Sequence, residues 1–236
     1  MKYVIGNWKM NLGKEESVQL VKDIVPIEMV KTVVCPPYIH LDSVSQRLHD
    51  GVLLGAQNCS AHDNGACTSQ ISAVMIKGIG CRYVILGHSE VRKNSAEHDK
   101  EILAKAIKCQ KLGLNTIVCI GETLEEYEEG KADLVVTNQL QYYLDLEEPK
   151  TIIAYEPVWA IGTGKVPTNE EIADRLKLIK ELSGNKFPVL YGGSVNAKNC
   201  DELAEIENLD GFLVGGASLE ASSFNAIIKS FKTQES

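Results

Sequence analysis

Runs rich in Val, Ile and Leu recur along the chain at residues 3–6, 32–35, 52–55, 82–86, 115–120, 151–155, 189–191 and 211–214. They lack clean apolar–polar alternation, which predicts strands of a parallel sheet buried on both faces. Nearly all end in glycine or a polar residue. The segments between them repeat with a helical period. Phe224, Ile227, Ile228 and Phe231 fall at i, i+3, i+4 and i+7, and shorter stripes are formed by Leu103, Ala106 and Ile107 and by Val18, Val21 and Val25. Thr168 and Glu171 have the spacing of a capping box and predict a helix start after the sixth strand. Eight strands alternating with helices in 236 residues predict an α/β fold, a closed (β/α)8 barrel forming a single domain over residues 1–236. An open doubly wound sheet is the competing architecture, but no Gly-x-Gly-x-x-Gly follows the first strand.

Composition narrows the chemistry. With 24 Lys+Arg against 32 Asp+Glu the formal net charge is −8, which argues against nucleic acid or an anionic membrane as a partner. A small anionic ligand then needs a dedicated local site. No apolar run approaches the ~20 residues of a membrane span. The N-terminal Met1-Lys2-Tyr3-Val4-Ile5-Gly6-Asn7-Trp8-Lys9 meets polar residues too early for a signal peptide. The seven cysteines are odd in number and include no Cys-x-x-Cys, so neither a disulfide framework nor a zinc site is expected, and a reducing cytoplasm is the simplest compartment. His40, His49, His62 and His98 show no metal-ligand spacing, and no metal is expected.

In a barrel of this kind chemistry sits where strands end and loops begin. The residues there are Asn7 and Lys9, Gln57 and Asn58, His88 and Glu90, Cys119, Glu156, Gly192-Gly193-Ser194 and Gly215-Gly216. Glycine lets backbone N–H groups approach an anion, so the two pairs after the seventh and eighth strands read as a phosphate site, or else as tight turns. Glu156, followed by Pro157, is a general base or a partner in a structural ion pair. His88 is a proton donor to a substrate oxygen or a satisfied structural imidazole. Lys9 is a site cation or a solvated charge. Cys119 is a packed side chain or a thiol nucleophile. Glu125, Glu126, Glu128 and Glu129 read as a solvated helix face.

Longer motifs add to this reading. Asn7-Trp8-Lys9-Met10-Asn11, Gly55-Ala56-Gln57-Asn58, Gly87-His88-Ser89-Glu90 and Val118-Cys119-Ile120-Gly121-Glu122 resemble the triosephosphate isomerase family. So do Ala154-Tyr155-Glu156-Pro157-Val158-Trp159-Ala160-Ile161-Gly162-Thr163-Gly164, Tyr191-Gly192-Gly193-Ser194 and Asp210-Gly211-Phe212-Leu213-Val214-Gly215-Gly216-Ala217-Ser218-Leu219. They occur in family order from end to end of the chain. The resemblance implies a TIM barrel that interconverts dihydroxyacetone phosphate and glyceraldehyde 3-phosphate without cofactor or metal, in glycolysis and gluconeogenesis. It places the family's glutamate base on Glu156 and its neutral histidine on His88. Lys9 joins His88 in stabilising charge on the substrate oxygens, Asn7 orients the cluster, and Glu90 supports it or relays a proton. Gly162, Ser194, Leu213, Gly215 and Gly216 fall on substrate- and phosphate-binding positions. Val158, Trp159, Ala160, Ile161, Gly162, Thr163, Gly164, Lys165 and Val166 match the family's mobile lid, with Trp159 and Glu122 a contact pair at its first hinge.

The chain also departs from the family pattern. Pro167 stands where alanine is usual at the second hinge. A tyrosine matching Tyr191 bonds the backbone N–H at that position in relatives, and proline has none. That bond is expected to be absent, with closure resting more on Ser194. Val91 and Gln70 replace an arginine and an acid that meet across the family's dimer contact; losing both leaves no orphaned charge. A homodimer is still expected, with Thr68 reaching Asn7 and Lys9 of its partner. The chain is several residues short near 182–188. Two other readings compete: a different phosphate-binding barrel isomerase or lyase, which need not keep Lys9, His88 and Glu156 together, and a non-catalytic barrel scaffold.

Overall fold

Eight parallel strands pair in sequence order, and the last returns to the first. They are β1 (Lys2–Asn7), β2 (Val30–Cys35), β3 (Val52–Ala56), β4 (Tyr83–Leu86), β5 (Asn115–Ile120), β6 (Thr151–Tyr155), β7 (Val189–Tyr191) and β8 (Gly211–Val214). The structure is a computed structural model that describes residues 1–161 and 166–232. Helices connect the strands: α1 (Lys14–Asp23), α2 (Leu41–Ser45), α3 (Ala73–Ile79), α4 (Ser89–Ser95), α5 (Asp99–Lys111), α6 (Leu124–Glu128), α7 (Ala132–Gln141), α8 (Asn169–Leu182), α9 (Cys200–Ala204) and α10 (Ala221–Lys229). The expected (β/α)8 barrel is therefore the observed one, and β5, β6, β7 and β8 coincide with their hydrophobic runs at both ends.

Successive strand residues face opposite sides, and both sides are covered. On β5, Ile117 and Cys119 point into the barrel with Ile5, Val33, Ile85 and Leu213. Val118 and Ile120 face outward into the layer between sheet and helices. This two-sided burial is why the strands show no alternation in sequence. The barrel interior is a filled core, so the site forms on its rim and not within it.

Two helical stripes differ from expectation. On α5 the buried face is Ile102, Ala106 and Cys109 together with Lys105, while Ile107 is exposed. On α1 it is Ser17, Leu20 and Val21, while Val25 lies past the helix end and is exposed. In both cases a polar or small residue occupies an inward position and hides the true phase of the helix. On α10 Phe224, Ile227 and Ile228 are buried as the period predicts. Phe231 lies beyond that helix and stacks on Phe212 with ring centroids 4.9 Å apart.

Helix starts are held by reciprocal caps. Thr168 N–H donates to Glu171 Oε2 at 2.7 Å and Glu171 N–H donates to Thr168 Oγ1 at 3.2 Å, which is the predicted box. Thr123 and Glu126 form a second box at α6, so Glu126 caps a helix and is not simply part of a solvated face. Asn225 on α10 clasps the end of α1: its Nδ2 donates to Asp23 C=O at 2.9 Å, and Val25 N–H donates to its Oδ1 at 2.7 Å. Arg92 braces the ends of β4 and β5, donating to Gly87 C=O at 2.8 Å and Cys119 C=O at 3.0 Å. Only residues 183–188 separate α8 from β7. Among the described residues no helix is long and apolar enough to cross a membrane.

Candidate active site

The carboxyl ends of β1, β4, β6, β7 and β8 surround a cavity of about 230 Å³. Asn7, the last residue of β1, is 6% exposed, and its Oδ1 accepts the Lys9 N–H at 3.1 Å. Lys9 adopts a left-handed backbone (φ 51°), uncommon for a residue with a side chain and of the order of 1–3 kcal/mol unfavourable where it is held. Gln57 holds it. Its Nε2 donates to Lys9 C=O at 2.8 Å and to Cys35 C=O at 2.9 Å, tying the turn to the end of β2. The Lys9 ammonium then reaches Glu90 Oε1 at 2.7 Å. Partial burial pushes the Glu90 carboxyl up, but the hydrogen bond and charge of Lys9 hold it below its ordinary value.

His88 follows β4 and caps α4. Its Nδ1 accepts the Glu90 N–H at 3.2 Å, which leaves the ring proton on Nε2. That nitrogen lies 3.2 Å from Glu156 Oε1. Glu156 is 2% exposed, and its Oε2 accepts the Ser89 N–H at 3.2 Å. A Cβ on Gly192 would stand 2.8 Å from Glu156 Cγ, and one on Gly193 would stand 2.2 Å from Tyr191 Oη. The glycine pair after β7 is thus required by close approach to the carboxylate and the tyrosine. Cys119 is buried; burial, then the Glu156 carboxylate, push its thiol well above the ordinary value, which removes it as a thiolate nucleophile.

The other wall suits an anion. Gly215 caps a short 3-10 helix (Gly216–Leu219) whose N-terminus opens on the cavity, and Leu213 forms part of the floor. After β7 no helix starts until α9 at Cys200, so a helix terminus contributes at β8 alone. Lys9 is the only Lys or Arg lining this cavity among the described residues, the local cation that an acidic chain needs. Ser194, also in the wall, donates from Oγ to Ala160 C=O at 2.7 Å.

Trp159 and Glu122 meet as expected. The indole Nε1 donates to Glu122 Oε1 at 2.9 Å, and that oxygen also accepts Tyr155 O–H at 3.0 Å. The stretch Val158–Ala160 is a 3-10 turn, Ile161 lines the cavity and Val166 is exposed. Gly162, Thr163, Gly164 and Lys165 lie outside the described residues. Pro167 is buried, and Tyr191 Oη is buried with no hydrogen-bond partner among the described residues. Tyr191→Phe is expected to change kcat by less than about tenfold (~1.4 kcal/mol) and not to lower the melting temperature. Steady-state kinetics and a thermal melt check this, and a larger loss of turnover refutes it.

Thr68 is exposed, on the loop between β3 and α3. Gln70 and Val91 lie together on a separate cleft of about 380 Å³, where Gln70 Oε1 accepts the Ser60 hydroxyl. Sequence reasoning assigned no role to Gln57 or Ser89. Gln57 sits at a strand end, which is a usable signal. Ser89 acts through its backbone N–H, which leaves none.

A buried carboxylate beside an imidazole and an ammonium, at the rim of a (β/α)8 barrel with an anion-suited wall, suits the class of barrel isomerases that move a proton next to a carbonyl. Residues 2–231 match the family model described as triosephosphate isomerase. Relatives named triosephosphate isomerase from Hahella chejuensis and Ruegeria sp. are 41% and 44% identical, over 97% and 96% of this chain and the same shares of their own. One from Secale cereale, named as chloroplastic, is 42% identical over 99% of this chain and 83% of its own. The chain belongs to the triosephosphate isomerase family and is an isomerase. That membership does not favour the lyase or scaffold readings.

Proposed function

We propose that residues 1–236 act as one catalytic unit that interconverts dihydroxyacetone phosphate and glyceraldehyde 3-phosphate, in glycolysis and gluconeogenesis. The observation that carries the reading is the gathering of Lys9, His88 and Glu156 around one cavity of about 230 Å³. Glu156 removes a proton from the carbon beside the carbonyl. The His88 Nε2–H and the Lys9 ammonium meet the charge that grows on the substrate oxygens. Glu156 accepts from Ser89 N–H and faces His88 Nε2. A substrate oxygen therefore takes the His88 proton from Glu156 and frees the carboxylate to act as base. Asn7 holds Lys9, and Glu90 steadies its ammonium. Ser194, Gly215 and Gly216, with Gly162 from the lid, receive the phosphate over the floor that includes Leu213. Closure of residues 158–166 excludes water, which strengthens each contact and protects the enediolate from losing phosphate.

The test is solvent exchange. In deuterium oxide the protein is expected to place deuterium on carbon 1 of dihydroxyacetone phosphate, read by NMR. Absence of exchange overturns the reading.

The same proposal includes a homodimer. Met10, Ile39 and Met75 are 95%, 82% and 52% exposed, on the loops after β1 and β2 and at the start of α3. Apolar side chains this exposed on neighbouring loops support a protein contact. A cleft of about 330 Å³ lined by Met10, Gln57 and Asn58 runs to Asn7, Lys9 and His88, with room for Thr68 of a second copy. Light scattering is expected to report twice the 25.9 kDa chain mass, and an active monomer at micromolar concentration refutes it. A reducing cytoplasm is the proposed compartment, supported by seven cysteines that are all free thiols.

A further inference from the structure

Two cysteines that play no part in the isomerisation face each other. Cys59 follows β3 and Cys109 lies on α5; they are 3% and 0% exposed, and their Sγ atoms are 3.4 Å apart. We infer that Cys59 and Cys109 are an oxidisable dithiol, a modification site that closes into an intrachain disulfide when a peroxide reaches it.

Three observations support the site. First, the sulfurs are already in contact, and a bond needs them to move only to about 2 Å. Second, Cys59 lines the cleft of about 380 Å³ beside Lys105 and Glu97, so a water-sized oxidant has a path to it. Third, the two thiols are unequal. The hydrogen bond with Cys109, and the Lys105 and Lys108 charges, hold Cys59 below the ordinary thiol value despite burial and Glu97. The same contact and burial push Cys109 up. Cys59, which lines the cleft where Cys109 does not, is the attacking sulfur, and Cys109 behind it is the resolving one.

The chemistry balances. The Cys59 thiolate attacks one peroxide oxygen, the O–O bond breaks, and Cys59 becomes a sulfenic acid with release of water. Cys109 then attacks the Cys59 sulfur, the S–S bond forms and the sulfenic oxygen leaves as a second water. Two thiols are oxidised by two electrons in total and one peroxide is reduced to two waters.

The cross-link is mechanically connected to the active site. Asn58 Oδ1 accepts Cys59 N–H at 2.8 Å and the Lys105 ammonium at 3.4 Å. The preceding residue, Gln57, holds the Lys9 carbonyl. Drawing Cys59 towards α5 shifts this run and the cation it positions. Displacing a positioned group by ~1 Å costs up to about 10²-fold in rate, so turnover is expected to fall by about tenfold or more.

The native protein is treated with hydrogen peroxide, remaining thiols are alkylated, and the chain is digested without reductant for mass spectrometry. The expected result is a peptide pair joined through Cys59 and Cys109 and lighter by two hydrogens, with turnover lost and restored by dithiothreitol. Cys109→Ala is expected to yield no joined pair, to accumulate Cys59 sulfenic acid trapped by dimedone, and to retain activity better under peroxide. Cys59→Ala is expected to leave Cys109 unoxidised. If the wild-type chain shows Cys67 oxidised and no joined pair, the dithiol is overturned. If the joined pair forms and turnover is unchanged, the coupling to Lys9 is overturned.

Discussion

Glu156→Gln is expected to lower kcat by about 10²–10⁴-fold, the usual contribution of a positioned general base. The amide has nearly the same shape and keeps an oxygen for the Ser89 N–H, so the fold changes little, although its NH2 then faces the His88 Nε2–H. What is lost is a group that can accept the substrate proton. The exchange experiment separates this from damage: deuterium entry into dihydroxyacetone phosphate falls in parallel with kcat, while the melting temperature holds. Glu156→Asp is a second probe. It keeps the base but withdraws it by one methylene, and a misplacement of ~1 Å costs about 10²-fold. A glutamine variant that exchanged deuterium at the wild-type rate would remove Glu156 from the chemistry.

Lys9→Met is expected to lower kcat by about 10²–10³-fold, the penalty for losing one preorganised donor to a developing oxyanion. KM rises too, because a charge-assisted hydrogen bond to the substrate is worth ~1.5–3 kcal/mol. The variant leaves Glu90 without its cation, yet that carboxylate side chain is 50% exposed and is hydrated in its place. Folding is therefore expected to survive. The discriminating measurement is the split between kcat and KM. A Lys9→Met enzyme with unchanged kcat would make the ammonium a binding group only.

The barrel was legible because its strands are buried on two sides, and a continuous apolar run survives any uncertainty about register. Residues 115–120 and 151–155 needed no adjustment for that reason. The helical stripes of α1 and α5 were misphased because Ser17 and Lys105 sit inward, and polarity alone does not reveal that Lys105 pairs with Glu97. Asn7, Lys9, His88 and Glu156, which the structure brings around one cavity, were singled out by the rule that barrel chemistry sits at strand ends. The left-handed turn at Lys9, the cap that His88 gives α4 and the Ser89 N–H on Glu156 were not. These are backbone facts, and side-chain identity does not encode them locally. The glycine pair after β7 illustrates the same limit. It reads as an anion cradle in sequence, and in the structure each residue is also required by a neighbouring side chain.

β8 pairs with β1, and Asn225 clasps the end of the first helix. A ribosome makes the chain from the amino end, so Lys9 emerges before Gly215. The ring cannot shut until its final strand arrives. A nascent chain is therefore catalytically silent, however much of it has already condensed, until that strand has emerged and taken its place beside β1.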